Sequence, residues 1–138
     1  MAPREGAPGP PRVRVVVDAM GSDLGSGVVV AGAVAAAREL GTAVTLVGQE
    51  PEVRHHLRAH AGGALDLAVL HAPEAVAMDE SPSVALRRKK QSSIRIGLEL
   101  VKRGEADAFV SAGNTGAVMA TALVVRSEER RVGKECRL

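Results

Sequence analysis

The chain has no tryptophan and no tyrosine, and Phe109 is its one phenylalanine. Valine, alanine and leucine must therefore build the core. Without aromatic platforms, bases cannot stack on it, which argues against a single-strand nucleic-acid binder. Cysteine is almost as scarce. A lone Cys136 rules out an internal disulfide framework and any paired-cysteine metal site. Long apolar runs are missing too: residues 28–37 form the longest, roughly half of what a bilayer-spanning helix needs. The opening MAPREGAPGPPR has no apolar segment of the kind a secretion signal carries. These absences point to a cytoplasmic chain, and they leave peripheral membrane association open for a longer form.

The body also lacks a net charge. Of eighteen basic and sixteen acidic residues, five and three fall in residues 126–138, leaving thirteen of each sign before them. Overall charge gives no argument for nucleic acid. Any basic signal must be local, and RRKK at residues 87–90 is the one dense run in the body.

What is present is an alternation. Residues 1–12 are Pro/Gly-rich and read as a disordered extension. Arg14–Asp18 (RVVVD), Ala43–Val47, Leu65–Leu70 and Asp107–Ser111 read as short buried strands. Between them, Val28–Leu40, Glu50–His60, Pro82–Lys90 and a segment capped by Ser92 read as helices, and another helix starts at Asn114. Ile94, Leu98 and Val101 make an apolar stripe on the fourth helix, Gly104 ends it, and Gly62 and Gly63 break the second. Strands alternating with helices predict an α/β fold: a mainly parallel sheet with helices on its faces. Ligands bind such sheets at the carboxyl ends of strands. Two loops qualify, AMGSD after the first strand and SAGNTG after the fourth.

SAGNTG joins a strand to a helix through Gly113 and Gly116, where backbone can approach a ligand closely. Asn114 or Thr115 can cap the helix, leaving free N–H groups and the helix dipole to favour an anion. The plainer reading is a tight turn with an N-cap. Neither GxxxxGK[ST] nor GxGxxG occurs, which removes the ATP P-loop and weakens a dinucleotide site. Asp18 and Asp23 can orient a substrate, hold a metal or serve as acid and base, or Asp18 can simply cap its own turn. RRKK can bind phosphate or an acidic partner, or be a solvated face. His56 and His60 are spaced as a metal pair without an evident third ligand, so surface histidines are the simpler reading; His71 lies near Glu74 and Asp79 at the site's edge.

In this order, VDAMGSD, HAPEAVAMDESP, ALRRKKQSS and LVKRGEADAFVSAGNTGAVMA resemble the phosphate acyltransferases of bacterial phospholipid synthesis (acyl-acyl-carrier-protein:phosphate acyltransferases), over about residues 13–125. The resemblance implies a three-layer α/β/α fold, here cut after about four strands and usually dimeric; no cofactor and no metal ligand is assigned in the sequence. It implies attack of orthophosphate on the thioester of a long-chain acyl-acyl carrier protein. The acyl phosphate formed then serves a membrane glycerol-phosphate acyltransferase. On this reading Ser111, Gly113, Gly116, Lys89 and Lys90 hold phosphate. Asn114 and Thr115 are the catalytic donors to the thioester oxyanion. Asp18 and Asp23 orient substrate, and Arg87 and Arg88 dock the acidic carrier protein. A small-acyl phosphotransacetylase and a non-catalytic anion- or carrier-binding module are the alternatives.

Departures from the family pattern are expected to matter. Family members usually read DAMGGD followed by His-Ala-Pro; Ser22 stands for a glycine here, and the His and Pro are gone. Family members are also well over twice this length. Four strands alone would leave a raw sheet edge. Residues 126–138 read as charged sequence unrelated to the family, with a divergent terminal helix as the alternative. The fragment alone is expected to be inactive.

Overall fold

The computed structural model of the chain describes residues 12–60 and 65–136, with side chains of the last helix described through Ser127. The expected extension (Arg12 apart), the Gly62–Gly63 break and the Cys136 side chain lie outside the described residues. Four strands and five helices alternate: β1 (Arg14–Asp18), α1 (Ser26–Leu40), β2 (Ala43–Gly48), α2 (Glu50–Arg58), β3 (Leu67–His71), α3 (Pro82–Arg88), α4 (Ser93–Lys102), β4 (Ala108–Ser111) and α5 (Thr115–Cys136).

All strand pairs are parallel, in the order β3-β2-β1-β4. Chain connectivity explains that order. From β1 the chain steps outward through α1 and α2 to β2 and β3, then returns through α3 and α4 to place β4 on the far side of β1. The reversal opens a crevice between the carboxyl ends of β1 and β4, the position where ligands enter open α/β sheets. Asp18 stands level with Val47 of β2 on one side and Ser111 of β4 on the other.

The period-two alternation of each strand divides the core into two layers. On one face Val44 and Leu46 pack with Val30, Ala33, Val34 and Ala37 of α1 and Val53 of α2. On the other, Val16 and Val47 meet Leu100 of α4 and Ala106, and a third cluster joins Val76, Ala85 of α3, Ile94 of α4 and Ala117 of α5. The fold is therefore a three-layer α/β/α sandwich.

The residues most buried on α4 are Ser93, Ile94, Gly97 and Leu100, a stripe rotated from the expected Ile94, Leu98 and Val101. The cause is Gly97. A Cβ built there would run into the Phe109 ring and lie 3.3 Å from Val16 Cγ1. A glycine lets the helix axis settle directly onto β1 and β4, while Leu98 and Val101 flank the contact. Ser92 caps α4 as expected, its hydroxyl accepting from Arg95 N at 3.1 Å.

Candidate active site

Three segments converge at the crevice: the loop after β1, the connection over residues 72–81, and the turn from β4 into α5. Gly21 marks their meeting point. Its φ of 81° favours glycine, and a Cβ there would stand 3.0 Å from Val76 O and 3.6 Å from Gly113 Cα. Ser22 fits its loop, accepting from Leu24 N with its side chain and from Gly25 N with its carbonyl.

Asn114 is the centre of the assembly. Its Oδ1 accepts from Ala117 N at 3.0 Å and its carbonyl from Val118 N at 3.0 Å, so it caps α5. Its Nδ2 donates to the carbonyls of Ala77 (3.0 Å), Met78 (3.3 Å) and Glu80 (2.9 Å). The residue is buried, and its amide hydrogens are engaged by the 72–81 connection. The bonds Asn114 makes are those of a clamp between α5 and this connection.

The cap has a consequence for α5. The first four N–H groups of a helix have no intrahelical acceptor. Asn114 accepts from Ala117 N with its side chain and from Val118 N in the first bond of the helix, so among the described residues the N–H groups of Thr115 and Gly116 have no acceptor. Thr115 is exposed, and Gly116 lies against Pro82, the first residue of α3.

Lys89 likewise faces inward along the connection. Its Nζ donates to Ala75 O at 2.7 Å and pairs with Glu80, whose carboxylate also accepts from Ala77 N at 3.2 Å. Those bonds hold the Glu80 carboxyl below its ordinary pKa, the Lys89 bond first. Through these bonds Lys89 braces the loop. Arg87, Arg88 and Lys90 are exposed, with no ion pair among the described residues. Arg87 and Arg88 form the last turn of α3.

Asp18 lies at the crevice floor, 1% exposed. Its Oδ1 accepts from Met20 N at 2.9 Å and its Oδ2 from Ser111 Oγ at 2.8 Å; Ser93 of α4 also bonds it. Burial raises its pKa, and the bonds from Ser93, Met20 N and Ser111 oppose the rise. Asp23 is exposed and is not brought to this floor. Among the described residues no group of three or more His, Cys, Asp and Glu is placed to hold a metal. His71 instead accepts from Glu50 N at 3.1 Å through Nδ1, at the start of α2, and His56 packs on Gly27.

Ser93 and Glu80 were not expected in the site. Ser93 directly follows the capping serine, and nothing in its spacing separates the two. Glu80 had a local signal, a carboxylate two residues before the Pro82 that opens α3.

Similarity to known proteins bears on this crevice. A family model described as "Fatty acid synthesis protein" matches residues 13–135. The chain belongs to this family. Proteins named "Phosphate acyltransferase" are among its curated relatives. The one from Herpetosiphon aurantiacus is 49% identical over 124 residues, covering 90% of this chain and 34% of that protein. The one from Geotalea daltonii is 58% identical over 113 residues, 82% of this chain and 33% of its own length. The one from Geobacter sulfurreducens is 53% identical over the same length and shares. The chain thus spans about a third of the length of these relatives of the family. No helix among the described residues is long and apolar enough to cross a membrane.

Proposed function

We propose that the crevice between β1 and β4 binds orthophosphate, and that the complete protein uses it to take the acyl group from a long-chain acyl-acyl carrier protein. The observation that carries this reading is the pair of unspent N–H groups, Thr115 and Gly116, at the start of α5, held at the switch point by Asn114. Such donors and the helix dipole favour an anion.

In the reaction a phosphate oxygen attacks the thioester carbonyl carbon. The carbonyl oxygen becomes an oxyanion and then re-forms the carbonyl as the C–S bond breaks. With hydrogen phosphate as nucleophile, its proton goes to the departing thiolate, so acyl phosphate and free carrier thiol result. In this reading Thr115, through its amide and hydroxyl, donates to phosphate or oxyanion. Asn114 holds the turn in shape, and Lys89 fixes the connection that Asn114 grips. The unpaired Arg87, Arg88 and Lys90 suit an acidic carrier protein. The acyl phosphate then suits a membrane glycerol-phosphate acyltransferase. A homodimer of the complete protein is part of the proposal. Residues 13–125 carry this reading, and no role is assigned to residues 126–138.

The test is turnover by the complete protein with long-chain acyl-acyl carrier protein and phosphate, set beside acetyl-CoA and phosphate. Acyl phosphate from the first alone supports the reading; turnover of acetyl-CoA alone points to a small-acyl phosphotransacetylase. Phosphate binding with neither turnover indicates a binding module. Charge reversal of Arg87 and Arg88 raises KM for the carrier substrate, increasingly at low salt; an unchanged KM removes the docking role.

A further inference from the structure

Asp18 accepts three hydrogen bonds in the crevice floor, and all three donors are neutral. An ionised carboxylate can only accept, so the Ser111 hydroxyl hydrogen must point at Asp18. Ser111 Oγ is left with lone pairs, and one of them accepts from Gly113 N at 3.1 Å. While Asp18 is charged, Ser111 cannot donate to an anion at the start of α5. A protonated Asp18 can instead donate to Ser111 Oγ, which frees the hydroxyl hydrogen to turn outward. It also removes a negative charge from beside the anion.

We propose that Asp18 is a positioning residue that sets the donor direction of Ser111, so that phosphate capture in this crevice depends on whether Asp18 holds a proton. The proposal rests on the phosphate reading above and deepens it.

The surroundings fit this role. The residue level with Asp18 on β2 is Val47, and on β4 it is Ser111. From α4 it meets Ser93; Arg95, two residues on, is paired with Glu99 at 2.9 Å. Asp23 stands exposed further round the same loop, and the 72–81 connection brings the backbone carbonyl of Val76, which carries no charge, to Gly21. No charged side chain is among the causes of the upward shift of Asp18, which comes from burial. Asp18 therefore takes up its proton at a higher pH than an ordinary carboxyl does.

Asp18→Asn tests the relay. The amide keeps an acceptor for Met20 N and gives Ser111 a donor, so the hydroxyl hydrogen is free at every pH. Phosphate binding to the complete protein is measured by calorimetry, and phosphate KM and kcat are measured separately, from about pH 4, the ordinary carboxyl range, to about pH 9. The ratio of wild type to variant cancels the ionisation of phosphate itself. Asp18→Asn is expected to bind phosphate about tenfold more tightly than wild type at the alkaline end, the worth of one charge-assisted hydrogen bond. The advantage shrinks as pH falls through the titration of Asp18, and in Asp18→Asn with Ser111→Ala it falls to the part that comes from removing the charge. If Asp18→Asn fails to fold, Ser111→Ala alone decides, because its loss of phosphate affinity must grow as pH falls. A pH-independent ratio, or a gain that Ser111→Ala does not reduce at all, overturns the relay while leaving the phosphate reading intact. No phosphate binding or use by wild type at any pH overturns both.

Discussion

Thr115→Pro should separate the anion site from the helix that builds it. Thr115 is the first residue of α5. Its N–H has no acceptor within the helix, so proline removes a donor the helix does not use. Asn114, as the cap, occupies a position whose usual extended backbone is also what proline demands of the residue before it. The capping bonds to Ala117 N and Val118 N come from Asn114 and survive the change. Stability should hold, or rise by up to about 1 kcal/mol through a stiffer unfolded chain. Phosphate should lose one hydrogen bond to a charged group, worth about 1.5–3 kcal/mol. At about 1.4 kcal/mol per factor of ten, phosphate KM rises on the order of 10- to 100-fold. Thr115→Ala measures the hydroxyl separately. The assay is initial rate against phosphate at saturating acyl-carrier substrate, with a melting curve beside it. A normally folded Thr115→Pro protein with wild-type phosphate KM would refute the assignment of this N–H to the anion.

Asn114→Ala removes a cap worth about 1 kcal/mol and takes the side-chain donor from the carbonyls of Met78 and Glu80, Ala77 O keeping its bond from Glu80 N, a further cost of about 1–3 kcal/mol. Hydrogen exchange should quicken in residues 74–80 and at Ala117 together; acceleration at Ala117 alone would show that the clamp does not hold the connection. Glu80 and Asp18 should pull stability in opposite directions with pH. Glu80 has a depressed folded pKa, so its contribution is present above the ordinary carboxylate range and lost as pH falls through the folded value. Asp18 has a raised folded pKa, so its contribution is full below the ordinary range and lost as pH rises through the folded value. Melting curves of Glu80→Gln should therefore approach wild type in acid and fall below it near neutrality, whereas equal deficits at both ends would contradict the ion pair's role.

The architecture was legible where local pattern decides it. RVVVD is a strand from Arg14 to Asp18 because it is a β-branched run buried between two neighbours. Ser92 was readable as a cap, and SAGNTG as the turn at the switch point, since short polar residues and glycine there have few other uses. Helix α1 begins at Ser26, two residues before its apolar run, because a start is set by turn geometry and not by hydrophobicity. The α4 stripe was misplaced because glycine carries no hydrophobic signal, yet Gly97 is the point of closest approach. Site chemistry was hidden for a different reason. Lys89 looked free within a basic run, and its partner Glu80 comes from a connection without periodicity. Asn114 looked like a free amide until the fold brought three carbonyls from that connection onto it. Residue type narrows what a group can do, but the loop that consumes its hydrogen bonds is known only once the chain is folded.

The most direct measurement is the fate of labelled phosphate. The complete protein is given a long-chain acyl-acyl carrier protein and orthophosphate labelled with oxygen-18, and the products are read by mass spectrometry as the carrier thiol is released. Attack by phosphate at the switch-point crevice predicts acyl phosphate with every phosphate oxygen labelled, in step with free thiol. Unlabelled fatty acid formed by water, or thiol release indifferent to phosphate, would contradict the account.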